Sequence, residues 1–188
     1  MIYLPKYTGP RLALQSKIGE GPKAVVLRLS ADYVVKLRKT GWPIPSVQDD
    51  SAVTYALSSE CDLLRELHRR KISVPKPLGA YRVPIQTLDF PWPLPKTFFN
   101  ERMFPGLVME HIPGIFIEQA PIEKQTELER RALEEVSKAI IIGLNHLQEG
   151  FDPAKNAMWV PETDRVYVVG WDFLLPSFRK SPQGVLRD

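Results

Sequence analysis

A lysine in the middle of an apolar run, followed by a glutamate on the apolar side of a helix, constrains this chain more than any other feature. Lys36 lies within Val34-Val35-Lys36-Leu37, a composition that predicts a β-strand. Glu60 falls three residues after Leu57 and four before Leu64, positions that share one helical face. A lone charge on an apolar face is costly. Two opposite charges on the apolar faces of neighbouring elements relieve each other if they meet. The expectation is an ion pair between a strand and the helix that covers it. The plainer alternative is an edge-strand lysine whose stem snorkels its charge to water.

The surrounding pattern fits an antiparallel meander. Leu12 to Lys17 reads as a first strand and Ile18-Gly19-Glu20-Gly21-Pro22 as a turn. Ala24 to Leu29 and Tyr33 to Arg38 read as the next two strands, with a hairpin at Ala31-Asp32. A helix capped by Asp49 or Asp50 runs to about Arg70, with Val53, Leu57, Leu64 and Leu67 as its stripe. Gly79 to Val83 and Gly106 to Glu110 are the fourth and fifth strands. A long helix is predicted from Pro121 to Gly150 on the spacing of Leu128, Leu133, Val136, Ile140, Leu144 and Leu147. Ala157 to Val160 and Arg165 to Val169 flank a turn and make a closing hairpin. Strands and helices that do not alternate regularly indicate an α+β fold.

Composition narrows the setting. The net charge of +3 is too mild to argue for nucleic acid, and the basic bias of the first forty residues reads as a solvated strand surface, with attraction to phosphates as the sharper alternative. Cys61 is the one cysteine, so no internal disulfide can form and a reducing compartment is expected. The start lacks the pattern of a signal peptide, and the apolar run Ala139 to Leu144 is too short to span a bilayer. A cytoplasmic or nuclear protein with no membrane association follows as an expectation. Many of the 18 prolines lie between Pro84 and Pro105, a stretch apolar enough to read as an ordered insertion or flap. His68, His111 and His146 lack metal-ligand spacing and read as surface or helix-end residues, and the tryptophans read as core.

Gly19-x-Gly21 lies between two strands, so it is no Rossmann fingerprint, yet a glycine turn in a hairpin lets the backbone fold over a phosphate tail. Together with Lys36, Glu60 and Leu107-Val108-Met109-Glu110-His111-Ile112-Pro113-Gly114, it resembles the N-lobe and hinge of protein-kinase-like folds. The likeness is nearest to aminoglycoside phosphotransferases, choline kinases and small Bud32-type kinases, and it covers roughly residues 12 to 175. The resemblance implies a two-lobed fold, with a five-stranded N-lobe over residues 1–109 that carries one helix and an insertion at 85–105. A truncated helical C-lobe with a β-hairpin would occupy 110–188. It further implies that Lys36 holds the α- and β-phosphates of ATP and pairs with Glu60. Gly19 and Gly21 would cover the nucleotide, Met109 would be the gatekeeper, and the Glu110 carbonyl and Ile112 N–H would face the adenine.

The second half departs from that family's pattern. Aligning the catalytic loop on Asn156 puts Phe151 where the catalytic aspartate belongs, with Asp152 one residue late. Val169-Gly170-Trp171-Asp172 matches the metal-binding motif with glycine in place of its aspartate. Asp152 is then the candidate catalytic residue, and Asn156 and Asp172 are the candidate Mg²⁺ ligands. These departures lead to a pseudokinase, a binding or regulatory module with a residual nucleotide cleft. The alternatives are an atypical phosphotransferase using Asp152 and Asp172, and a nucleic-acid-associated subunit. The broadly apolar Ile140-Ile141-Ile142 segment leads to a protein partner or second copy bound through the C-lobe.

Overall fold

Valine- and leucine-rich runs give the sheet, and their alternation decides which face each side chain takes. A computed structural model describes residues 3–21, 24–38, 50–86, 102–141 and 151–169. The strands are β1 (Lys17–Glu20), β2 (Ala24–Arg28), β3 (Tyr33–Arg38), β4 (Pro77–Ile85) and β5 (Arg102–Glu110), with helix α1 (Asp50–Arg69) between β3 and β4. They form one antiparallel sheet in the order β1-β2-β3-β5-β4. One face buries Val25, Leu27, Val35, Leu37, Val83, Ile85 and Val108, joined by Tyr7 and Leu29.

The first strand lies later than its composition predicts. Ile18, Gly19 and Glu20 belong to β1 rather than to a turn. The Leu12–Ser16 segment instead bridges strand ends. The Leu12 N–H donates to the Leu29 carbonyl at 2.6 Å, and the Gln15 N–H to the Gln86 carbonyl at 2.9 Å. Gln15 is buried because its side chain mimics a strand partner. Its Oε1 accepts from the Gln86 N–H at 2.6 Å, and its Nε2 donates to the Pro84 carbonyl at 3.4 Å.

Helix α1 ends as its sequence permits, with one strained residue. The Ile72 N–H reaches the Leu67 carbonyl at 3.0 Å and the Lys71 N–H reaches His68 at 2.9 Å. This is a Schellman cap, and it places Lys71 at φ 62°, where glycine is the usual occupant. The two residues at the positions of the apolar contact in such caps, Leu67 and Ile72, are both buried.

The chain forms two compact units: Met1–Asp62 with Lys76–His111, and Leu63–Pro75 with Ile112–Asp188. Hydrogen bonds explain why the loop after α1 belongs to the second unit. Its Ser73 N–H donates to the Glu135 carboxylate at 2.8 Å, and its Ser73 carbonyl accepts from Val168 at 2.9 Å.

The second unit holds β6 (Ile115–Phe116), a 3₁₀ turn (Ile117–Gln119), α2 (Ile122–Ile141), α3 (Pro153–Asn156), β7 (Ala157–Val160) and β8 (Arg165–Val168). Strands β6, β7 and β8 make a small antiparallel sheet. The two-residue β6 carries no periodicity and is absent from the sequence reading. It is held close to β7 because Gly114 lacks a side chain. A Cβ there would lie 2.5 Å from the Trp159 carbonyl oxygen.

The inner stripe of α2 is Leu128, Ala132, Val136 and Ala139, all buried, whereas Leu133 is exposed. Leu133 was expected on that stripe. Two alanines hold the positions instead, and a reading by large side chains passes over them. Ile140 is half-buried, while residues 142–150 and the Ile141 side chain lie outside the described residues, as does the stretch 87–101. No described helix is long and apolar enough to cross a membrane.

Candidate functional site

In an antiparallel sheet, directly paired residues share a face. The pairs Gly19↔Val26, Val26↔Lys36 and Lys36↔Leu107 therefore form one row across β1, β2, β3 and β5. The next row runs Arg28, Val34, Met109. Gly19 sits two strands from Lys36, about 10 Å at the usual strand spacing. The same face of the sheet thus carries Gly19, Lys36 and Met109.

Helix α1 supplies the counter-charge. Leu57, Cys61, Leu64 and Leu67 are buried, and Glu60 lies among them at 2 % exposure. The Lys36 Nζ donates to Glu60 Oε1 at 2.6 Å, with Lys36 itself at 5 % exposure. The expected ion pair is therefore present, and both partners are withdrawn from water. The snorkelling alternative is excluded by the same burial. Glu60 has a second cation: Arg38 Nη2 stands 3.5 Å from Oε2. The sequence reading missed Arg38 as part of this cluster. The available signal was its position two residues after Lys36 on one strand, which puts both side chains on one face.

Neither Gly19 of β1 nor Gly21 of the β1–β2 connection is required by packing among the described residues. A Cβ on Gly21 would meet nothing within 4 Å, and one on Gly19 would make an ordinary 3.9 Å contact with Val26. Neither has a left-handed backbone. The Gly21 N–H donates to the Ala24 carbonyl at 2.9 Å.

At the end of β5, Met109 is buried. Glu110 is tied to the chain beside it. Its N–H donates to the Lys76 carbonyl at 2.9 Å, and its carboxylate accepts from the Lys76 N–H at 3.2 Å. His111, expected as a surface or helix-end residue, is half-buried at a strand end. Its N–H donates to the Asp32 carbonyl at 2.8 Å. Burial, and then the nearby Arg28 charge, hold its imidazole below the usual histidine range. Ile112 is buried and opens the second unit.

In the second unit Asp152 is occupied locally. Its Oδ1 accepts from the Ala154 N–H at 3.1 Å and caps α3, and its Oδ2 lies 3.6 Å from Lys155 Nζ. Asn156 donates its side-chain N–H to the Asp152 carbonyl at 2.9 Å. That bond commits the amide nitrogen of Asn156 and not its Oδ1, the atom that would meet Mg²⁺. Asp172 and Gly170 lie outside the described residues. Among the described residues, no three His, Cys, Asp or Glu side chains gather as a metal site would require. Trp159 is a buried structural residue. Its indole N–H donates to Asp164 at 2.9 Å, and Lys124 stands 4.5 Å over its ring.

Two basic residues of the first unit are engaged within it. Lys17 pairs with Glu20 at 2.9 Å, and Arg28 donates to the Ser30 and Ala31 carbonyls at 3.3 Å each. No protein-family model matches the chain, and no curated protein matches it.

Proposed function

We propose that this chain has a protein-kinase-like fold and serves as a nucleotide-binding regulatory module that transfers phosphate poorly or not at all. The observation that carries this reading is the buried Lys36–Glu60 pair on the sheet face shared with Gly19. Burying two charges gains little stability over two apolar residues of similar volume. Their retention in a buried position is better accounted for by a ligand that uses the lysine. An ammonium held by one carboxylate is positioned to meet a phosphate. Among the described residues nothing in the packing and no left-handed turn requires Gly19 or Gly21, and each leaves the backbone open to close approach. The five-stranded antiparallel sheet with its helix after β3 also has the make-up that the resemblance implies for an N-lobe.

Weak transfer follows from the second unit. Phosphoryl transfer depends on carboxylates that hold metal ions and orient the acceptor. Phe151 stands at the aligned catalytic position, and the neighbouring Asp152 caps a helix. Were Mg²⁺–ATP bound, the ion would neutralise phosphate charge, and Lys36 and the β1–β2 backbone would hold the triphosphate. A regulatory role implies a protein partner, or a second copy of the chain, that reads the nucleotide state.

Titration calorimetry with ATP, with and without Mg²⁺, tests the reading. Binding is expected for the unaltered protein and is expected to be lost in Lys36→Ala. Gly21→Ala should weaken binding while leaving the unfolding midpoint in place. Transfer of labelled γ-phosphate should fall well below about 1 s⁻¹, the lower end for kinases. Failure to bind ATP at millimolar concentration, or transfer at that rate, would overturn the proposal.

A further inference from the structure

We propose that Arg38 is the reserve partner of Glu60, holding the buried carboxylate when an anion draws Lys36 away. The inference rests in part on the nucleotide-binding reading above, but its core does not need it. The geometry divides Glu60 between two cations. Lys36 holds Oε1 at 2.6 Å, a tight charge-assisted hydrogen bond, while Arg38 stands at 3.5 Å from Oε2, at ion-pair distance but beyond a good hydrogen bond. Residues two apart on a strand point the same way about 7 Å apart. Lys36 and Arg38 therefore approach the same carboxylate from neighbouring positions of β3.

The arrangement addresses a conflict in any site of this kind. A phosphate-bearing anion that takes the Lys36 ammonium competes with Glu60 for it. If Lys36 were the sole counter-charge, its departure would strand a carboxylate at 2 % exposure, and that penalty would be subtracted from the affinity. A guanidinium already within 3.5 Å can close the remaining distance by a side-chain adjustment. Its five donors let it keep its other contacts while it does so. Lys36 can then exchange between carboxylate and anion without α1 losing its anchor on β3. Arg38 is in this sense a positioning residue.

Two measurements on the full chain test this. In the absence of ligand, urea midpoints are compared for Lys36→Met, Arg38→Met and the double variant. Each single change leaves Glu60 one cation, so the double change should lower the midpoint by clearly more than the two single shifts together. In a Glu60→Gln background this excess should vanish, and Arg38→Lys should restore most of what Arg38→Met loses. Additive shifts, or a double variant no worse than Lys36→Met, would overturn the proposal. The second measurement is calorimetric binding of inorganic tripolyphosphate. Arg38→Met should weaken it at least tenfold although the guanidinium is not the anion's primary ligand, and Glu60→Gln should remove that dependence. An unchanged affinity in Arg38→Met would overturn the exchange role. If the unaltered protein binds no tripolyphosphate, the nucleotide-binding reading falls and the exchange role with it. The midpoint comparison then decides alone whether Arg38 shares the carboxylate.

Discussion

Replacing Glu60 by leucine should be among the most damaging single changes in the first unit, and replacing Lys36 as well should repair it. At 2.6 Å and an effective dielectric near 20, the pair's attraction is about 6 kcal/mol. Removing two ions from water costs several kcal/mol each, so the intact pair contributes little net stability. Breaking it is different. Glu60→Leu leaves the Lys36 ammonium at 5 % exposure, deprived of that carboxylate and facing Arg38 across the same surface. Such a loss typically costs about 3–5 kcal/mol. At about 2–4 °C per kcal/mol for a chain of this size, Tm should fall by about 10 °C. Lys36→Met with Glu60→Leu places similar volume on both elements and leaves the part-exposed Arg38 as the one charge of the cluster, and should recover most of the loss. Thermal and urea unfolding followed by circular dichroism measure both variants. A loss below about 1 kcal/mol for Glu60→Leu would show that the pair is not buried as described. A double variant as unstable as the single one would show that the pair is kept for stability, which removes the main support for a ligand role.

Lys71→Gly should stabilise the chain by about 0.5–1 kcal/mol, seen as a higher urea midpoint, because φ 62° strains any side chain with a Cβ. Gly114→Ala should destabilise by about 1–3 kcal/mol, since its methyl group would meet the Trp159 carbonyl oxygen at 2.5 Å and force β6 from β7. The Glu66 carboxyl is lowered to about 2, first by hydrogen bonds from Arg69 and Arg70. A depressed carboxyl stabilises above its unfolded value, near 4.5, and loses that contribution as pH falls toward 2. Carbon-detected titration should find its midpoint near 2 in low salt, and about 1 M salt should raise it because the cluster is exposed.

The parts of the fold that were legible are those where one side chain type decides. The β2 and β3 strands follow from β-branched runs, and the Lys36–Glu60 contact follows from the cost of isolated buried charge. What was not legible depends on the backbone or on small residues. Gln15 is buried because its amide stands in for a strand, and nothing in its neighbours announces that. The Lys17–Glu20 strand was masked by glycine, which reads as a turn even where it adopts a strand. The inner face of α2 is half alanine, so the larger Leu133 drew the stripe to the wrong side. Arg38 looked like one more basic residue until the register of β3 put it beside Lys36. The local use of Asp152 was hidden as well, since a cap depends on where the next helix begins.

That last point gives a test that separates structure from chemistry at one atom. Asp152 Oδ1 accepts from the Ala154 N–H, a role that the side-chain carbonyl of asparagine fills about equally well. Asp152→Asn should therefore hold the urea midpoint within about 0.5 kcal/mol, whereas Asp152→Ala, which has no acceptor, should lose about 1 kcal/mol. A carboxylate that orients or deprotonates an acceptor hydroxyl cannot be replaced by an amide, because the amide has neither the charge nor the basicity. The pair of variants thus moves in opposite senses under the two readings. If Asp152 is only a cap, asparagine is silent in every assay, and alanine alters stability while ATP affinity stays constant. If Asp152 acts in catalysis, asparagine abolishes phosphate transfer at an unchanged urea midpoint. The second outcome would require a measurable transfer rate in the unaltered protein. It would mean that a carboxylate one residue from its aligned position serves the reaction after all, and the regulatory reading would give way to an active phosphotransferase.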